Sequence, residues 1–186
     1  MRCKDRTFYE VILPESPCHL YFDIEFDKQL NPERDGESSM VIFKEFLSNW
    51  ILKTLGLQIS NFVIQDNGTF SGNILEMDAS NFKKFSRHLL IHLPEGLVFR
   101  NNQHVGLFVN YLCSQITRII SANESTEHSK LSPDVLALRK LFILKKFDEI
   151  SRRVIFIDRS VYSRKHNFRI LHSAKYEDIG RRHLHL

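Results

Sequence analysis

The sequence predicts a mixed α/β domain of the α+β type, with a mostly antiparallel sheet packed against helices. Three observations carry this. One run alternates apolar and polar residues without a break, two long stretches repeat their apolar residues at helical spacing, and several short β-like runs are separated by turn residues. The 186 residues are 42% hydrophobic and 26% charged, which fits one folded domain over 1–186 and excludes a mainly disordered or collagen-like chain. Phe, with 15 copies, supplies much of the expected core.

Each element has a local cause. Cys18 to Asp27 places Leu20, Phe22, Ile24 and Phe26 on one face and Tyr21, Asp23, Glu25 and Asp27 on the other, a strand with two unlike sides. Asn31 to Gly36 is rich in turn residues. Met40 to Leu55 reads as an amphipathic helix, with Phe43, Phe46, Leu47, Trp50 and Ile51 on its stripe and Gly56 as its stop. Strands are expected at 62–65, 74–77, 85–93 and 97–99, with turns at Asn67-Gly68, Ser71-Gly72-Asn73 and Pro94-Glu95-Gly96. His104 to Ile120 reads as a second helix, and polar Ser121 to Ser132 opens a flexible crossing loop over 121–137. A hairpin follows: 141–145, a charged turn through 148–153, and 154–158. Another strand is expected at 168–172.

The formal charge of +4 is too small by itself to announce a nucleic-acid partner. It is unevenly spread. Residues 151–186 hold nine Lys or Arg against three acids, +6, which leaves −2 for the rest. Cys3, Cys18 and Cys113 are odd in number and widely spaced, so neither a disulfide framework nor a Cys-x-x-Cys zinc or redox site is expected, and a reducing, intracellular compartment is. With no apolar run of membrane-spanning length and no signal peptide, no membrane association is expected.

Asp23 and Glu25, two apart on one strand, send both carboxylates from the same face, about 7 Å apart along the backbone. Two carboxylates so placed repel unless a cation or proton lies between them, and hard divalent ions such as Mg²⁺ or Mn²⁺ want an all-oxygen set. A solvated acidic face on a half-buried strand gives the same pattern. Asp158 ends the apolar run Val154 to Ile157, where a buried carboxylate needs a charged partner. Either a metal or one of the many arginines meets that need. Three acids on two hydrophobic strands are a two-metal cradle suited to phosphoryl transfer.

Ser86 and His88 share a face of the 85–93 strand, and with Lys84 they suit hydrogen bonding to a triphosphate. A Ser/His hydrolase is discounted because no G-x-S-x-G elbow surrounds the serine. The run Arg164-Lys165-His166-Asn167-Phe168-Arg169, with Lys175 beyond it, interleaves basic residues with an aromatic and an amide. Phosphate and base contacts use such a surface, and so does a strand edge guarded by charge.

Asp23-x-Glu25, Ser86-x-His88 and Asp158 occur in the order of the three catalytic motifs of the archaeo-eukaryotic primase superfamily. Cys-His-Leu-Tyr-Phe-Asp-Ile-Glu-Phe, Lys-Phe-Ser-Arg-His-Leu, His-Val-Gly and the stretch from Val161 to Arg169 resemble the eukaryotic primase-polymerase (PrimPol) family within it, over roughly 8–110 and 138–176. The resemblance implies a primase-like catalytic core with an RRM-like submodule. It implies DNA-directed primase and polymerase activity that starts chains and extends them past lesions or stalled forks. In this reading Asp23, Glu25 and Asp158 hold two Mn²⁺ or Mg²⁺ ions. Lys84, Ser86 and His88 contact the triphosphate of the incoming nucleotide, joined by His166, Asn167, Arg169 and Lys175.

The implied partners are template DNA, primer, deoxynucleoside or nucleoside triphosphates, and single-stranded-DNA-binding replication proteins reached through segments outside this chain. The implied locations are nucleus and mitochondrion. His166 stands where the family has Arg, which implies a weaker phosphate contact, since imidazole carries less charge at pH 7. The upstream segment and the downstream zinc module of the family have no counterpart here, so a partial catalytic domain is expected. Two further readings stay open: a non-catalytic nucleic-acid-binding module, and a metal-dependent phosphodiesterase using the same acids.

Overall fold

The computed structural model describes residues 9–64, 70–163 and 166–169, the last four by their backbone. The centre is a three-stranded antiparallel sheet of β2 (Leu20–Asp27), β6 (Lys84–Ile91) and β5 (Ile74–Asp78), with β6 in the middle. Leu20, Phe22 and Ile24 are fully buried on one face of β2, as the alternation predicts. Tyr21, on the other face, is buried too.

Helix α1 (Gly36–Leu55) covers the apolar face. Met40, Phe43, Leu47 and Ile51 form its buried stripe, and the Phe43 ring meets Phe22 and Phe156 edge-on at 5.2 and 5.7 Å. The helix begins earlier than the hydrophobic stripe suggests. The Asp35 side chain accepts from the Glu37 amide at 3.1 Å as its N-cap, and Gly36 packs where a Cβ would lie 2.3 Å from the Phe85 ring. Gly56 ends it as expected, at φ 71° with its amide on the Leu52 carbonyl.

Helix α2 (Asn102–Ser121) is capped by the Asn101 side chain and buries Val105, Val109, Leu112 and Ile116. Its Phe108 meets Trp50 of α1 edge-on at 5.1 Å. A short helix, α3 (Pro133–Arg139), packs on α2 and α1 and begins inside the stretch expected to be loop over 121–137. Its cause is local: Ser132 caps the Val135 amide, Pro133 occupies the first turn, and Val135 and Leu138 are buried.

β7 (Phe142–Phe147) and β8 (Ile150–Ile155) pair over all six residues. The connection is Asp148-Glu149, with Asp148 at φ 52°, and not the longer turn expected through 148–153. Arg152 and Arg153 are strand residues whose charges face solvent, so they are compatible with pairing. The 97–99 strand is replaced by a 3₁₀ turn over Pro94–Gly96 and a single bridge between Cys18 and Phe99.

Among the described residues two small pairs complete the set: β1 (Tyr9–Ile12) with β9 (His166–Arg169), and β3 (Val63–Ile64) with β4 (Phe70–Ser71). All strand pairs are antiparallel, and the class is mixed α/β as predicted. The Asn67-Gly68 turn lies outside the described residues, as does the end of the strand expected at 168–172. Among the described residues no helix is long and apolar enough to cross a membrane.

Candidate metal and phosphate site

The β2–β6 register sets Asp23 opposite His88, Glu25 opposite Ser86 and Asp27 opposite Lys84. Directly opposed residues in an antiparallel pair project from the same side. The two acids and the Lys84, Ser86, His88 group therefore share the face away from α1. Lys84 Nζ is ion-paired with Glu25, and His88 Nε2 is 3.9 Å from Asp23 Oδ1.

Asp158 reaches the same place from the other edge of β2. The segment after β8 runs along β2: the Glu25 amide donates to the Phe156 carbonyl at 3.0 Å, Ile24 bridges Ile157, and the Asp158 amide donates to the Asp23 carbonyl at 2.8 Å. Phe156 and Ile157 are both buried, so Asp158 leaves an apolar segment as the sequence suggests. It is also the N-cap of a 3₁₀ turn, Arg159–Tyr162, accepting from the Ser160 amide at 2.9 Å. Burial pushes the Asp158 carboxyl up, but hydrogen bonds from Ser160 and the charges of Lys145 and Lys84 outweigh it and hold the group below its ordinary value.

The 3₁₀ turn is itself fixed. Tyr21 donates to the Val161 carbonyl at 3.3 Å, Tyr162 donates to the Tyr21 carbonyl at 2.8 Å, and the Asn102 side chain donates to the Ser163 carbonyl. Gly106 of α2 allows this approach, since a Cβ there would lie 2.8 Å from the Tyr162 Cβ. The glycine of His-Val-Gly thus seats the turn that carries Asp158.

Ligand atoms of Asp23, Glu25 and Asp158 lie within 4.8 Å of one another, and all three residues are half-buried. Among the described residues this is the one group of three or more His, Cys, Asp or Glu with metal-ligand spacing. Three carboxylates so close form a hard, all-oxygen donor set that fits Mg²⁺ or Mn²⁺. A cleft of about 550 Å³ opens beside them, lined by Glu25, Asp27, Lys84, Ile143 and Lys145 among others, and one of about 270 Å³ runs from Glu25 and Lys145 to Asp158 and Arg159.

His166, Asn167 and Arg169 lie on β9, opposite Ile12, Val11 and Tyr9 of β1. Lys175 lies outside the described residues. Sequence reasoning missed three residues that shape the site. Arg87, between Ser86 and His88, is only 7% exposed on the α1 side, where it pairs with Glu76 at 3.1 Å and with Asp78 and Glu37. The available signal was an arginine on the apolar face of a strand preceded by Glu76 and Asp78, two apart. Lys145 and Asn31 carry no such local signal.

No family model matches the chain. A "DNA-directed primase/polymerase protein" of Danio rerio is 29% identical over 176 residues, covering 90% of this chain and 32% of that protein. The Homo sapiens protein of the same name is 26% identical over 216 residues, covering 94% and 36%. That of Gallus gallus is 36% identical over 115 residues, covering 62% and 18%. The chain spans about a third of the length of the Danio rerio and Homo sapiens relatives. Along most of its length, then, this chain is similar to the DNA-directed primase/polymerase proteins.

Proposed function

We propose that the chain is the metal-dependent nucleotidyl-transfer core of a DNA-directed primase-polymerase. The observation that supports this most is the convergence of Asp23, Glu25 and Asp158 within 4.8 Å, with Lys84, Ser86 and His88 on the next strand of the same face. The reaction is attack by a primer 3′-hydroxyl, or by an initiating nucleotide, on the α-phosphate of a bound nucleoside triphosphate, with pyrophosphate leaving. Asp23, Glu25 and Asp158 would hold Mn²⁺ or Mg²⁺, which would supply charge neutralisation for the transfer.

The chain's own residues do the rest by position. Asp23 and Glu25 are fixed by their ladder to β6, and Asp158 by its backbone bond to Asp23. The Ser86 hydroxyl and the His88 imidazole, set one pleat apart, donate to phosphate oxygens, while the Lys84 ammonium balances their charge. His166, Asn167, Arg169 and Lys175 belong to the same proposal as further nucleotide and phosphate contacts. So do template and primer as partners, and a role in starting synthesis and passing lesions or stalled forks.

The test is incorporation of a labelled nucleotide opposite a defined template base, with Mn²⁺ and with chelator. Template-dictated, metal-dependent lengthening of the primer supports the reading. Shortening of the primer indicates a phosphodiesterase. Salt-sensitive DNA binding indifferent to Mn²⁺, with no product, indicates a binding module.

A further inference from the structure

The hairpin β7–β8 lines both clefts, the larger of them together with Lys84, and Lys145 and Glu25 line both. The Lys145 backbone is anchored one residue away. Asn31, buried to 1% exposure, donates through Nδ2 to the carbonyls of Asp27 and Leu144, both at 3.0 Å, and its Oδ1 accepts from the Leu144 amide at 2.7 Å. One side chain thus ties the end of β2 to β7 and fixes the backbone next to Lys145. Two ammonium groups therefore share the clefts with the carboxylates: Lys84, paired with Glu25, and Lys145, which lines the smaller cleft together with Glu25 and Asp158.

Divalent ions at the carboxylates change this balance. Two of them bring about four positive charges into the same small volume, where ammonium groups are repelled. A polyphosphate entering the cleft gives those groups a new partner.

We propose that Lys145 is a second polyphosphate-binding residue of this site, and that Lys145 and Lys84 serve as counter-ions to the carboxylates until metal displaces them onto phosphate. This rests on the nucleotidyl-transfer reading above. It couples the two ligands: metal binding frees the lysines that the polyphosphate needs. Lys145 binds and positions the phosphate chain, and no bond of Lys145 is made or broken.

The experiment measures two affinities for Lys145→Gln and Lys84→Gln. One is for Mn²⁺ alone, read from the electron-spin-resonance signal of the free ion. The other is for a fluorescent deoxyadenosine triphosphate analogue at saturating Mn²⁺. Opposite signs are expected. Mn²⁺ binds about two- to fivefold tighter, the worth of a removed half-exposed counter-ion. The triphosphate binds roughly tenfold weaker or more. Lys145→Arg keeps the charge and restores both values. If both affinities fall together, or neither moves, the proposal is overturned while the metal site stands. If the unaltered chain binds no Mn²⁺, or Asp158→Asn binds it as well as the unaltered chain does, the site reading fails and the proposal with it.

Discussion

The backbone amide of Asp158 donates to the carbonyl of Asp23 at 2.8 Å, across 135 positions of sequence. This bond joins the two halves of the site. Asp23 and Glu25 are neighbours on one strand, whereas the third carboxylate arrives only because the segment after β8 runs along the free edge of β2.

The first consequence concerns pH. The Asp158 carboxyl is held below its ordinary value of 3.8 in the folded chain, so the folded state binds its proton less readily than the unfolded state does. Its contribution to stability is full above that ordinary value and is lost as pH falls through the lower folded one. Asp158→Asn, which keeps an acceptor for the Ser160 amide, is therefore less stable than the unaltered chain at pH 7. The gap narrows as pH falls below 3.8 and through the lower folded value, as metal-free urea denaturation at neutral and at acid pH measures.

Gly106 seats the 3₁₀ turn that follows Asp158. A methyl group there meets the Tyr162 Cβ, so Gly106→Ala costs about 1–3 kcal/mol of overpacking. It also displaces Tyr162 from the Tyr21 carbonyl. Thermal denaturation shows a lower midpoint, and Mn²⁺ affinity falls although no carboxylate has been changed.

Arg87 holds the back of the strand whose front carries Ser86 and His88. Arg87→Leu leaves Glu76, Asp78 and Glu37 near one another without their common cation. Breaking a buried pair from one side costs about 3–5 kcal/mol, and the exposure of Glu37 and Asp78 places this case at the low end. Urea denaturation at pH 7 reads the loss.

Asn31→Ala leaves the Leu144 amide and two carbonyls without their partner. Unsatisfied buried backbone groups cost about 1–3 kcal/mol each, so a loss of that order is expected in chemical denaturation. Amide exchange in β7 and β8 quickens while that in β6 is unchanged, since the hairpin is released from β2 and the central ladder is not.

The legible and illegible parts of the molecule divide along one physical line. β2 was readable because a strand buried on one face must alternate, and the same alternation put Asp23 and Glu25 on the other side. α1 and α2 were readable from their stripes, but α1 starts at Gly36, because a residue without a Cβ lets the Phe85 ring sit against the helix start. Arg152 and Arg153 read as a turn because charge density resembles a loop in sequence, while an exposed strand face carries charge freely. The signal for α3, Ser132-Pro133-Asp134, was local and present.

For the site, residue type was readable and proximity was not. The meeting of Asp158 with Asp23, the Arg87 network and the Asn31 clamp are all long-range contacts. Each depends on which edges of the sheet are occupied.

In the proposed function Asp23, Glu25 and Asp158 act as one metal-dependent site for nucleotidyl transfer. The most direct measurement is Mn²⁺-dependent extension of a labelled primer on a template, by the unaltered chain and by Asp23→Asn, Glu25→Gln and Asp158→Asn, each checked for folding by circular dichroism. Every one of the three isosteric changes is expected to lower extension by at least about tenfold, the least expected when a metal ligand is lost. Extension at the normal rate by any folded variant of the three would contradict it.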